Sequence, residues 1–163
     1  MRRAVGILRI PSDDIALPYN QGDMIAFLDA DDLWMPEKLS RQVEALTANP
    51  ELEAVFAHLE EFRDNGGAIK GEPRPCSTAA IMVIKREAFE RIGWFPEHAN
   101  SLEAIDWRLR ASEKSLRSLM LPDVLYRRRI HETNLGVQNR DLTGYIRALK
   151  ASLDRRRADQ DAC

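Results

Sequence analysis

The segment MIAFLDADDLWMPEKL, Met24 to Leu39, decides the fold. A run of five apolar residues, Met24 to Leu28, ends in three aspartates, Asp29, Asp31 and Asp32, spread over four positions. The apolar run with its polar flank reads as a buried strand, which puts the aspartates at the strand's carboxyl end. Pro36 suits a first helical turn, and Leu39, Val43 and Leu46 recur at helical spacing until Asn49 and Pro50 stop the helix. The order is strand, acidic turn, helix. Carboxylates this close repel one another. They could form only a turn, with Asp32 near a helix start where negative charge favours the macrodipole. They could instead share a hard divalent cation, which takes oxygen ligands and leaves positions for substrate phosphates. Position favours the cation, because ligands in open α/β sheets bind at the carboxyl ends of strands.

Outward from this segment, AVGILRI, Ala4 to Ile10, offers a short strand able to pair beside it. EAVFAHLEEF and AIMVI read as further strands, separated by the turn signal DNGG at Asp64 to Gly67. KREAFERIG reads as a short helix closed by Gly93. From Leu102 to about Ser115 a helix is expected, with Leu102, Ile105 and Leu109 as its buried stripe. Glu103, Asp106, Trp107 and Arg110 follow i, i+3, i+4 and i+7 spacing, so two carboxylates share a face with an indole. A carboxylate held partly dry beside an aromatic ring can have its pKa raised toward neutrality, as a general base requires. LRSLMLP and VLYRRRIH read as two strands, the second alternating so that Arg127, Arg129 and His131 share one side. Guanidiniums there could fork onto a phosphate, and the imidazole could reach a metal. A closing amphipathic helix spans about residues 138–157, with Leu142, Ile146, Leu149 and Leu153 as its stripe. Arg155 to Arg157 are given no role beyond a solubilising helix end. Strands mixed with helices in this order mean an α/β layer fold.

The 163 residues suit one domain with one core, and 44% hydrophobic with 31% charged residues is a globular balance. The longest apolar run, Ala79 to Ile84, is far below the roughly 20 residues of a membrane span. No signal-peptide core is evident, and a cytoplasmic location is expected. Cys76 and Cys163 form no disulfide framework and no metal-ligand spacing. The first 80 residues hold 14 acids and 8 bases, the remainder 12 acids and 16 bases. That asymmetry suits a cation site in the first half and an anion-holding surface in the second, and pairing of the two halves explains it equally. No nucleic-acid partner is expected.

GDMIAFLDADDLWMPEKLSRQVEAL resembles the aspartate-motif block of family-2 glycosyltransferases with the GT-A fold. FERIGWFPE and DWRLRASEKSLRSLMLPDVLYRRRIH resemble the blocks that follow it there in the same order. The resemblance covers about residues 22–131 and implies a single GT-A-like domain over residues 1–163, a mixed sheet flanked by helices. It also implies metal-dependent transfer of a sugar from a nucleotide-sugar donor to an acceptor hydroxyl, with inversion. Asp29 and Asp31 would hold Mn2+ or Mg2+ on the donor diphosphate, with Asp29 also a donor contact. His131 would be a further metal or diphosphate contact, and Arg127 and Arg129 would face the same diphosphate. The family's helix begins Glu-Asp, with the aspartate often the base; here Glu103 is followed by Ala104. Asp106 or Glu103 would act instead, beside Trp107 as a substrate contact. Ahead of Gly22 the family carries some 80 or more residues that build the nucleotide pocket, against 21 here. A chain read as truncated in this way is expected to self-associate and to transfer no sugar alone. The alternatives are an inactive transferase-like domain serving as a nucleotide- or anion-binding or interaction module, and, ranked last, a metal-dependent phosphohydrolase.

Overall fold

Strand β2 (Met24–Asp29) lies inside a sheet covered on both faces. In the computed structural model, which describes residues 5–10, 22–63, 71–95, 103–130 and 142–161, it pairs in parallel with β1 (Val5–Ile10) and antiparallel with β6 (Val83–Lys85). Burial on both sides is why the segment is uniformly apolar rather than alternating. Ile25 and Phe27 face one cluster with Phe89, Ile92, Trp107 and Tyr126. Met24 and Ala26 face a second with Leu46, Val55 and Val83. The expected strand at Ala4 to Ile10 thus takes its place beside β2.

Four more strands complete the sheet among the described residues: β3 (Leu33–Trp34), β4 (Ala54–Phe62), β5 (Arg74–Cys76) and β7 (Ser118–Arg129). Their order is β1-β2-β6-β4-β7-β3, with β5 also paired to β4. β4 runs parallel to β7, and β3 closes the far edge antiparallel to β7. Helix α1 (Lys38–Ala48) packs on one face; α2 (Arg86–Ile92) and α3 (Glu103–Glu113) cover the other. Helix α4 (Leu142–Asp161) lies against α3. The architecture is a mixed α/β layer, as expected.

Four local departures follow. AIMVI is divided, because Ala79–Ile81 tightens into a 3-10 turn before β6 begins. The two strands expected around Pro122 are one: the register against β4 shifts between Phe56 and His58, so the proline, which has no N–H, falls where no ladder bond is needed. On α3 the fully buried positions are Trp107 and Ala111, while Ile105 and Leu109 are half-buried. On α4 Ile146 and Leu153 are exposed, at 62% and 47%, and Ser152 is buried instead. The DNGG turn and Leu102 lie outside the described residues.

Helix α1 carries a buried polar pair. Gln42 donates from Nε2 to the carbonyls of Val55 and Ile81, both at 2.9 Å. Its Oε1 accepts from Lys38 Nζ at 2.8 Å, and that ammonium lies 4.5 Å from the centroid of the Trp34 ring. Lys38 is 0% exposed, and burial pushes its pKa down to about 7. The unfolded chain therefore keeps this proton up to its ordinary pKa near 10.5, while the folded chain releases it near 7. Stability should rise with pH across that window, with the burial cost fully present below it. Lys38→Met should flatten the rise, each pKa unit corresponding to about 1.4 kcal/mol. Urea unfolding of both proteins from pH 6 to pH 10 measures this, and parallel curves would remove Lys38 as the cause.

Candidate functional site

The acidic turn is fastened to β7 by one of its own aspartates. Asp32, 9% exposed, accepts at Oδ2 from the Tyr126 hydroxyl (2.6 Å) and at Oδ1 from the Arg129 backbone N–H (2.7 Å). Arg129 Nε donates to the Asp31 carbonyl at 2.7 Å, and the Asp32 N–H donates to the Asp29 carbonyl at 3.3 Å. Asp32 is therefore a structural anchor and not a helix cap, since α1 begins only at Lys38. Burial raises the Asp32 pKa while its bonds from Tyr126 and Arg129 lower it. Burial raises that of Tyr126 as well, helped by Asp29 and Asp32.

Asp29, at the end of β2, is the group left strained. Burial, then the charges of Asp32 and Asp31, push its pKa up to about 7, and Arg128 opposes them. No ion pair to its carboxylate occurs among the described residues. A dication would reverse that balance, so the donor set fits one: hard oxygens, excess negative charge and partial burial. Among the described residues no group of three His, Cys, Asp or Glu side chains converges as a metal cage. Asp29 and Asp31 would therefore have to share the ion with a ligand of their own.

The basic strand end is largely engaged with the protein. Arg127 pairs with Glu60 at 2.6 Å and lies 5.1 Å from the Phe62 ring centroid. Arg129, 4.8 Å from the same ring, is held by Asp31. For Arg127 and Arg129 the expected alternation holds, since both guanidiniums lie on Phe62. Arg128 is the guanidinium whose charge reaches Asp29 and Asp32, and it lies 3.9 Å from Glu61. Sequence reasoning passed over it, although Tyr126 and Arg128, two apart on β7, were a signal that they could share a side. His131 lies outside the described residues.

The carboxylates of α3 are divided in fate. Asp106 accepts from Arg110 Nε at 2.9 Å and from Arg155 Nη2 at 3.3 Å. Glu103 opens the helix, and its side chain lies outside the described residues. Trp107, expected as a substrate contact, is a core residue: 2% exposed, stacked 5.7 Å from Phe89, its indole N–H donating to the Gly93 carbonyl at 2.9 Å. A cavity of about 410 Å³ lies at the opposite end of β2, lined by Asp23, Met24, Lys85 and Arg86 among others. Lys85 and Arg86 there are bound to the carbonyls of Pro50 and Gly22.

Residues 14–96 match the profile of Glycosyl transferase family 2. An uncharacterised glycosyltransferase of Haemophilus influenzae is 28% identical over 114 residues, which cover 61% of this chain and 39% of that protein. Among solved structures, S. aureus TarS 1-349 in complex with UDP-GlcNAc superposes with a TM-score of 0.63 at 17% identity, covering 85% of this chain and 44% of that one. The same protein in complex with UDP gives 0.51 at 17% identity, covering 73% and 39%. The chain thus spans less than half the length of these relatives, and its sheet and helices have the GT-A-like arrangement.

Two stability measurements test the geometry. Tyr126→Phe removes the hydroxyl from Asp32 and should cost about 1–3 kcal/mol, the penalty of a buried acceptor losing a donor. Asp29→Asn should act oppositely. The wild-type carboxyl has a folded pKa near 7 against 3.8, so it holds its proton in the folded state after the unfolded chain has lost it. Its cost grows as pH rises from about 4 to 7 and is full above that. Without added cations, the Asp29→Asn variant should therefore be more stable than the wild type at pH 8 and lose the advantage at pH 4, as read by thermal melts.

Proposed function

The chain belongs to glycosyl transferase family 2, and on that premise we propose that it binds the diphosphate of a nucleotide-sugar donor through a divalent cation and takes part in inverting transfer of the sugar to an acceptor hydroxyl. The observation that carries the reading is the uncompensated Asp29 carboxylate at the carboxyl end of β2, beside Asp31, with Asp32 already committed to β7. Asp29 and Asp31 would hold Mn2+ or Mg2+, and His131 is proposed as a further contact. The cation supplies positive charge against the departing nucleoside diphosphate. Arg128, whose charge reaches Asp29 and Asp32, is the candidate to add to that charge from beside Glu61; Arg127 and Arg129 would do so only from within their contacts to Glu60 and Asp31.

On α3, Glu103 is the better proposed base. Both oxygens of Asp106 are occupied by guanidiniums, whereas Glu103 stands at the helix's first turn. Its carboxylate would take the acceptor proton as the hydroxyl attacks the anomeric carbon from the face opposite the departing diphosphate. The same engagement of Asp106, Arg127 and Arg129 supports a second reading, a domain that binds nucleotide and cation without transferring sugar.

Self-association belongs to the proposal as well. β1 has β2 as its one partner among the described residues, and an open strand edge is a template for a second copy. Light scattering of the purified chain should show a dimer or larger assembly; a monomer at micromolar concentration would remove this part.

UDP is the natural probe, since TarS was solved with UDP and with UDP-GlcNAc. Calorimetry should show Mn2+ and UDP each strengthening binding of the other, because cation and phosphate complete one coordination shell. Asp31→Ala and Asp29→Asn should each weaken that binding by about tenfold or more, the loss of one charged ligand being worth at least about 1.4 kcal/mol. Equal Mn2+ and UDP binding by wild type and both variants would overturn the site. If binding holds, an assay against a panel of nucleotide sugars separates the transferase from the binding domain.

A further inference from the structure

Helix α2 ends at a sharp turn, and α3 reaches across to take three successive carbonyls there. Arg110 donates from Nη1 to the Ile92 carbonyl at 2.9 Å and from Nη2 to the Trp94 carbonyl at 2.8 Å. Between them, the Trp107 indole N–H donates to the Gly93 carbonyl. The turn accepts this because Gly93 has φ +97°, a region L side chains rarely adopt, and because a Cβ there would stand 2.9 Å from Arg110 Nη1. The segment carries Trp94, 39% exposed, whose ring meets Phe89 edge-on at 5.0 Å. Phe89 and Phe95 in turn pack on Phe27, two residues before Asp29 on β2.

A guanidinium that holds two backbone carbonyls must itself be held. Arg110 Nε is fixed by Asp106 Oδ2, and Asp106 Oδ1 accepts from Arg155 of α4. Arg155 also forks onto Glu113, with Nε to Oε2 at 2.8 Å and Nη2 to Oε1 at 3.1 Å, and Ser152, 1% exposed, donates to the same carboxylate. The apolar Ile146 and Leu153 face away from this contact, so polar bonds of Arg155 and Ser152 dock α4 here where an apolar stripe was expected.

We propose that Arg155 and Asp106 are positioning residues. Together with Arg110 they form a relay of charge-assisted hydrogen bonds from α4 through α3, which fixes the Ile92–Phe95 segment and the helix whose first turn carries Glu103. The hydrogen bonds of Arg155 also hold the Glu113 pKa down and Glu113 raises that of Arg155, consistent with a tight pair. Bidentate geometry suits the role, since a guanidinium spanning two carboxylates fixes direction as well as charge. The bearing on catalysis rests on the proposed function, because it matters only if Glu103 is the base. The relay itself does not depend on that.

Amide hydrogen exchange on the whole chain, read by mass spectrometry, separates the two. Arg155→Ala should quicken exchange by about tenfold or more over residues 89–95 and the start of α3, besides α4, as a cooperative unit loosens. Asp106→Asn should do the same at 89–95 while α4 keeps its protection through Arg155 and Glu113. Arg155→Lys should restore protection in part, because an ammonium cannot span both carboxylates with the same geometry. Circular dichroism confirms that each variant is folded, and UDP–Mn2+ calorimetry shows separately whether the donor site stands. A change confined to α4 in Arg155→Ala, or wild-type exchange at 89–95 in Asp106→Asn, would overturn the relay whatever the calorimetry shows.

Discussion

The hydrogen bonds that Tyr126 and Arg129 give to Asp32 are the contact on which the site's arrangement depends. Three carboxylates at one strand end repel, and in a half-buried place that repulsion is weakly screened. β7 takes one of them inward and binds both of its oxygens. The turn is thereby fixed with Asp29 at the end of β2 and Asp31 held by its backbone to Arg129. The anchor separates roles within a motif of identical residues: Asp32 spends its charge on structure, and Asp29 is left at the strand end with no ion pair among the described residues.

This division explains what could be read from the chain and what could not. The apolar run, the acidic turn and the amphipathic stretch after Pro36 lie within one short segment, so β2 and α1 were legible from local periodicity, and Gly93 marked the end of α2. Asp29 and Asp31 were legible as candidates for the same reason. The partners of Asp32 stand 94 and 97 positions away in sequence, where no spacing rule reaches. The sequence on either side of Pro122 reads as two strands, and only the register shift against β4 lets one strand run through the proline. Spacing with Glu103, Asp106 and Arg110 puts Trp107 on a polar face, yet its large apolar ring goes to the core and its N–H finds the Gly93 carbonyl. On α4, Ile146 and Leu153 of the expected stripe are exposed while Leu149 is half-buried, for a complementary reason. Periodicity locates apolar residues but cannot tell whether a helix docks through them, and here the bonds of Arg155 and Ser152 to Glu113 set the rotation.

The charge asymmetry between the halves can be re-read in the same light. Acids of the first half find bases of the second: Glu53 meets Arg91 and Arg117, Glu60 meets Arg127, and Glu61 lies near Arg128. β4 and β7 are parallel neighbours, so their charged ends are brought together by the register itself. Much of the apparent anion-holding surface is therefore structural pairing. Partly exposed pairs of this kind add little stability each, but they fix partners. Against that background Asp29 stands out. Its carboxylate is half-buried, has like charges beside it, and enters no ion pair among the described residues. Among the described residues these pairs match charge to charge, whereas the end of β2 keeps an excess of negative charge, the condition under which the proposed cation would gain most from binding.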